Sequence, residues 1–151
     1  MKQTLITLVE DKPGVLNRIA SLFRRRNYNI DSLVVGKSET PGVSRMTIMT
    51  NEEDQRKRGN IYFNLLNLVN VIAVKDVSNL ECVTREFILI KIQSGPDQLN
   101  EVKAVVNNHG ARIVDLGKET VIIEATEREK EIDALVKALT PFNITEIMRT
   151  G

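Results

Sequence analysis

The sequence predicts an α+β protein made of two consecutive β-α-β-β-α-β units. Three observations carry the prediction. Eight short apolar or alternating runs read as strands, four patterns of helical period fall between them, and the order in residues 1–77 recurs in residues 78–151. A length of 151 residues accommodates two small domains.

The first run, Thr4 to Val9, is strand-like. Val15, Leu16, Ile19, Leu22 and Phe23 then fall on one helical stripe, with Pro13 suited to the first turn and a stop expected at Asn27. Tyr28-Asn29-Ile30 leads into a second extended run, Ser32 to Val35. Gly36 to Gly42, with Pro41, reads as a hairpin connection to a third strand, Val43 to Thr50, whose Met46 and Ile48 mark one apolar face. Asn51-Glu52-Glu53-Asp54 supplies a cap and acids for a second helix carrying Ile61, Leu65 and Leu68, and Val71 to Val74 forms the fourth strand. In the second half, Phe87 to Ile92, Ala111 to Leu116, Val121 to Ala125 and Phe142 to Met148 are the strands. Leu99, Val102, Val105 and Val106 mark one helix; Ile132, Leu135, Val136 and Leu139 mark another, which Pro141 stops. The join is expected at Ser78 to Val83, giving domains 1–77 and 78–151.

Such units form four-stranded antiparallel sheets with two helices on one face, the ferredoxin-like arrangement. The other face of each sheet is left open. A unit of this size buries only about 60% of its unfolded surface, so pairing with a second copy is expected. The composition also removes several functions. The chain has 21 bases against 20 acids, a net charge of +1, which lacks the basic field of a dedicated nucleic-acid binder. The six aromatic residues do not form the stacking set of an RNA-binding sheet. One cysteine, Cys82, and one histidine, His109, cannot build a disulfide framework or a Cys/His zinc site, and fit a reducing, cytoplasmic setting. No segment resembles a leader or a membrane span. Residues 1–77 hold 12 bases and 8 acids, +4, and residues 78–151 hold 9 and 12, −3; ordinary surface variation explains the split, although steering of a partner would use it.

Three further clusters read as structural. Arg24-Arg25-Arg26 complements the dipole at the end of the first helix, His109 before Gly110 sits at a helix end, and the mixed charges of Glu127 to Asp133 form a solvated helix start. No nucleophile has a base partner, so no catalytic constellation is evident.

The informative segment is Glu10 to Arg18, a strand-to-helix turn. Gly14 permits close approach of a ligand to the backbone, and the first free N–H groups of the helix make a seat for an anion. A carboxylate would bind the amides around Gly14, Val15 and Leu16, while Asp11 or a carbonyl would suit an ammonium group one amino-acid backbone away. Together these would recognise a free α-amino acid. The competing reading is that Pro-Gly merely starts a helix and Asp11 caps it.

The pattern Asp11-x-Pro-Gly14-Val-Leu16 at the first turn of such a unit resembles an ACT domain, a family that binds amino-acid effectors. More narrowly, Leu22-Phe23-Arg-Arg-Arg26-Asn-Tyr28-Asn29-Ile30-Asp31-Ser32-Leu33, Ser44 to Ile48 and Arg85 to Ile92 resemble the small regulatory subunit of acetolactate synthase (acetohydroxyacid synthase), so the likeness covers the whole chain. The resemblance implies a non-catalytic homodimer that binds valine, or leucine or isoleucine, between two N-terminal domains and controls a separate large catalytic subunit. Asp11, Gly14, Val15 and Leu16 would contact the effector from one chain, and Asn29 and Ile30, in the second strand, from its neighbour. Thiamine diphosphate, magnesium and FAD would belong to the catalytic subunit, with no cofactor in this chain. The second domain departs from the motif: its first turn reads Gln93-Ser94-Gly95-Pro96-Asp97-Gln98-Leu99, and no amino-acid site is expected there. The alternative is a free-standing amino-acid sensor without an enzyme partner.

Overall fold

Burial alternates residue by residue along the first strand, β1 (Lys2–Glu10): Gln3, Leu5, Thr7 and Val9 are buried while the residues between them are half-exposed. That period of two puts one face of β1 on a core and leaves the other open. The computed structural model describes residues 2–151, which divide between Cys82 and Val83 into two compact units.

In the first unit β1 is followed by α1 (Val15–Arg26), β2 (Ser32–Lys37), β3 (Val43–Asn51), α2 (Gln55–Leu66) and β4 (Val71–Asp76). The strands form an antiparallel sheet in the order β2-β3-β1-β4. Leu5 and Val9 of β1, Met46 and Ile48 of β3 and Val74 of β4 meet Val15, Ile19, Leu22 and Phe23 of α1 and Ile61 and Leu65 of α2 in one cluster. The second unit repeats the arrangement with β5 (Glu86–Gln93), α3 (Leu99–Asn108), β6 (Arg112–Leu116), β7 (Thr120–Glu127), α4 (Glu129–Leu139) and β8 (Ile144–Arg149), in sheet order β6-β7-β5-β8. Its core joins Ile88, Ile90 and Ile92 to Val121 and Ile123 and to the apolar stripes of α3 and α4. The expected α+β class, two tandem ferredoxin-like units, is the observed one.

Local chemistry sets the boundaries and corrects several expectations. Helix α1 begins at Val15, so Pro13 lies in the turn before the helix rather than in its first turn. Asp54 caps α2, accepting from the amides of Arg56 at 2.8 Å and Lys57 at 3.4 Å, but no acid occupies the first turn and the helix ends before Leu68. Phe142 is not in the last strand. It is buried in a 3-10 turn, Thr140–Phe142, that follows α4, and Asn143, left-handed at φ 53°, turns the chain into β8. The charged start of α4 is not wholly solvated either, because Arg149 of β8 reaches Asp133 at 2.7 Å and Glu86 at 2.5 Å.

The end of α1 sets the direction in which the chain leaves it. Asn27 is left-handed (φ 56°, ψ 41°); its N–H donates to the Arg24 carbonyl and the Tyr28 N–H donates to the Phe23 carbonyl. This is a Schellman closure, completed by an edge-on contact between the Phe23 and Tyr28 rings at 6.1 Å. Asn27→Val should lower the unfolding free energy by about 1–2 kcal/mol, because a β-branched residue resists the left-handed region, whereas Asn27→Gly should be neutral or stabilising. Urea denaturation of the two variants checks this.

Candidate functional site

The turn between β1 and α1 is built around one backbone conformation. Gly14 has φ 85° and ψ −8°, the third-residue geometry of a type II turn, with Pro13 before it at the position proline favours. The Val15 N–H closes this turn on the Lys12 carbonyl at 3.4 Å. Helix α1 leaves the turn without a side-chain cap. Arg18 N–H is the first to bond inside the helix, to the Gly14 carbonyl at 3.0 Å, and the N–H groups of Leu16 and Asn17 have no acceptor among the described residues. A Cβ built on Gly14 would meet nothing within 4 Å, so the concave side of the turn is open.

Asp11 does not cap the helix. It is exposed, its N–H is held by the Gly42 carbonyl at 2.8 Å, and its carboxylate has no partner among the described residues. The competing explanation of Asp11 as a capping residue therefore fails. Val15 is buried in the core and its N–H is taken by the Lys12 carbonyl, so it offers a ligand neither a side chain nor a free donor, while the Leu16 side chain is 45% exposed beside the open amides. The turn thus presents free N–H donors, an unpaired carboxylate and an apolar side chain together.

A polar cluster that the sequence did not announce braces this turn. Asn70, left-handed at φ 76°, lies just before β4; its carbonyl accepts from Glu10 N–H at 2.9 Å, its Nδ2 donates to Glu10 Oε2, and its Oδ1 accepts from Arg18 Nη1 at 2.7 Å. Lys12 completes the cluster, with Nζ 3.1 Å from Glu10 Oε2. The hydrogen bond from Asn70, and then that from Lys12, holds the Glu10 carboxyl below its ordinary range. The partners lie 60 and 52 residues away from Asn70 in the chain, which is why no local motif reveals them.

Asn29 and Ile30 sit elsewhere. They precede β2, which begins at Ser32, and so belong to the connection after α1 rather than to the second strand. Asn29 is exposed, with Nδ2 donating to Asp31 Oδ1 at 2.7 Å; Ile30 is half-buried against its own core. The 12 residues of α1 separate these two from the Gly14 turn by about 18 Å. One chain therefore does not bring the two groups of residues together.

The corresponding turn of the second unit has different geometry. Gly95 has φ −75°, Pro96 opens a 3-10 turn, Pro96–Gln98, and this runs directly into α3. No residue of this turn is left-handed as Gly14 is. Among the described residues no group of His, Cys, Asp and Glu could hold a metal ion, and no helix is long and apolar enough to cross a membrane.

The geometry is that of two tandem ferredoxin-like units, the first carrying an open amide turn between its first strand and first helix. Comparison with known proteins narrows it. Residues 5–73 match the family described as AHAS small subunit-like ACT domain, and residues 85–151 match the family described as small subunit of acetolactate synthase. The chain is 36% identical over 151 residues to the acetolactate synthase small subunit of Bacillus subtilis, covering all of this chain and 88% of that one. It is 42% identical over 148 residues to that of Mycobacterium bovis, covering 98% and 88%. A crystal structure of the acetolactate synthase small subunit from Thermotoga maritima superposes with a TM-score of 0.91 at 36% identity, covering 100% of this chain and 94% of that one. The chain belongs to the acetolactate synthase small-subunit family.

The lowered carboxyl of Glu10 gives a pH test of the brace. Because the folded value lies below the ordinary 4.5, the contact's contribution is complete above 4.5 and is lost only as pH falls through the lower folded value. The side-chain amide resonances of Asn70 should therefore hold steady from neutral pH down to about 4.5 and shift below it, and Glu10→Gln should abolish that acid transition.

Proposed function

We propose that this chain is the regulatory subunit of an acetolactate synthase, binding valine or a related branched-chain amino acid at the Gly14 turn, with the site completed by Asn29 and Ile30 of a second copy. The family supports the regulatory role. The observation that carries the site is the uncapped turn itself: donors at Leu16 and Asn17 for a carboxylate, and the unpaired Asp11 carboxylate for an ammonium group. Leu16 and, across the interface, the exposed edge of Ile30 supply apolar surface for a branched side chain.

The demand for a second chain follows from distance and from magnitude. An amino acid cannot reach across about 18 Å, so Asn29 and Ile30 serve the site only from a neighbour. Binding near ten micromolar requires roughly 7 kcal/mol. Full burial of a valine side chain yields about 1.5–3 kcal/mol and each charge-assisted hydrogen bond about 1.5–3, against an association cost of several kcal/mol. An open turn on a lone protomer falls short, whereas enclosure by a twofold-related copy makes up the difference.

Bound effector then bridges two protomers, and a thiamine-dependent catalytic subunit that contacts both feels the change through the difference in its affinity for the two states. Activation and feedback inhibition of that subunit, in a cytoplasmic pathway to the branched-chain amino acids, complete the reading. The second unit, lacking the left-handed turn, binds no effector.

Two experiments test it. Gly14→Asn and Gly14→Asp meet the same left-handed backbone with side chains of equal size, so their difference isolates charge. Calorimetry with valine should show binding to Gly14→Asp weakened by more than about tenfold relative to Gly14→Asn, and the large subunit assayed with it should lose valine inhibition. No heat from the unsubstituted chain with valine, leucine or isoleucine would remove the effector assignment. Mixing Gly14→Asp with Asn29→Ala provides the second test. Each variant alone should lose binding, while random exchange should restore roughly a quarter of the sites, because half the dimers are mixed and each of those contains one intact site.

A further inference from the structure

The two units repeat one device at the end of their first strand. In the first unit the Glu10 N–H donates to the Asn70 carbonyl, and the Asn70 side chain returns a bond to the Glu10 carboxylate. In the second, Gln93 ends β5 and Asn143, left-handed at φ 53°, stands just before β8. The Gln93 N–H donates to the Asn143 carbonyl at 3.1 Å, and Asn143 Nδ2 donates to Gln93 Oε1 at 3.2 Å. Each link lies beside a shift of register, between Leu8 and Val9 in one sheet and between Lys91 and Ile92 in the other. A feature present in both halves belongs to the architecture: it ties the end of the first strand of each unit to the start of the last.

Arg18 is the part that is not repeated. Its Nη1 donates to Asn70 Oδ1 and so carries the link from strand to helix, whereas Asn143 Oδ1 receives no bond from α3 among the described residues. The difference follows the turns. The second unit enters α3 through a 3-10 turn, while the first enters α1 through the open, uncapped Gly14 turn. An uncapped helix start has no local side chain to hold its first residues. The Arg18 N–H makes the first bond inside α1, immediately after the free amides of Leu16 and Asn17, and on the other side of the turn Glu10 directly precedes Asp11. Glu10, Asn70 and Arg18 therefore close a bracket around the turn. Glycine would adopt the φ of 76° at Asn70 with less strain, so what asparagine adds there is its side chain.

We propose that Arg18, acting through Asn70, is the positioning residue of the effector turn: it sets the Leu16 and Asn17 amides against the Asp11 carboxylate at the separation of the two charged groups of one free amino acid. A seat whose halves are held in place before the ligand arrives avoids the cost of ordering them on binding. The inference rests on the effector reading of this turn and adds to it a residue outside the ligand's own contacts.

The test uses the full chain, by calorimetry with valine and by amide resonances without ligand. Arg18→Met keeps the length of the side chain and removes its donors; Asn70→Gly keeps the left-handed backbone and the charge of Arg18 while removing the acceptor. In the free chain each should shift the Leu16 and Asn17 resonances and leave those of Leu22 and Phe23 in place. Each should weaken valine binding about tenfold, and the two together should cost no more than the larger single loss, because they cut one link. Arg18→Lys, which retains a donor, should keep most of the affinity, and Asn143→Gly, the corresponding cut in the second unit, should leave it unchanged. The proposal is overturned if the free-chain resonances move but valine binds the variants as tightly as before, which leaves the effector reading standing. It is overturned equally if the variants lose only thermal stability, or if the two losses add, which would make Arg18 a direct contact of the ligand. No heat from the unsubstituted chain with valine, leucine or isoleucine removes the effector reading itself, and the inference with it.

Discussion

The first unit turns on a left-handed residue between a strand and a helix. With Gly14 at φ 85°, β1 can hand over to α1 without a capping side chain, and the amides that a cap would occupy remain available. A Ser or Asp at the N-cap would stabilise the helix by about 1 kcal/mol. The sequence forgoes that contribution here, whereas α2 takes it through Asp54. The same chain thus treats its two N-terminal-domain helices differently, and the uncapped one starts the segment that carries the family motif.

Helix α1 imposes the second constraint. Its length keeps the Gly14 turn and the Asn29 connection at opposite ends of one protomer, and the Schellman closure at Asn27 fixes where the second of these emerges. A rigid spacer of this length keeps the candidate residues at its two ends apart within one protomer. In the proposed site, two copies related by a twofold axis would use those two ends reciprocally.

Much of this was legible in the residues. Alternation in β3 located one apolar face of the first sheet, and the stripes of α1 and α4 located the helix faces that pack on the sheets, because burial on one side imposes those periods. The boundaries were less legible where a turn does two jobs: Pro13 belongs to a type II turn rather than to the helix, and Phe142 is core without being strand. The Gly14 turn could be singled out from Pro-Gly and a nearby Asp. Asn70 and Arg18 could not, since their link depends on β4 pairing back beside β1. Gln3 was invisible for the opposite reason: a polar residue at the start of a strand normally reaches water, and only the packing of α2 over it shows that this one does not.

The Asn70 cluster also decides which parts travel with the turn. Through one backbone and two side-chain hydrogen bonds, Asn70 fastens Glu10, Arg18 and the approach to β4 into a single block. Since β4 is a border strand of its sheet, that block ties the Gly14 turn, by way of the connection between α2 and β4, to one edge of the unit rather than to its centre.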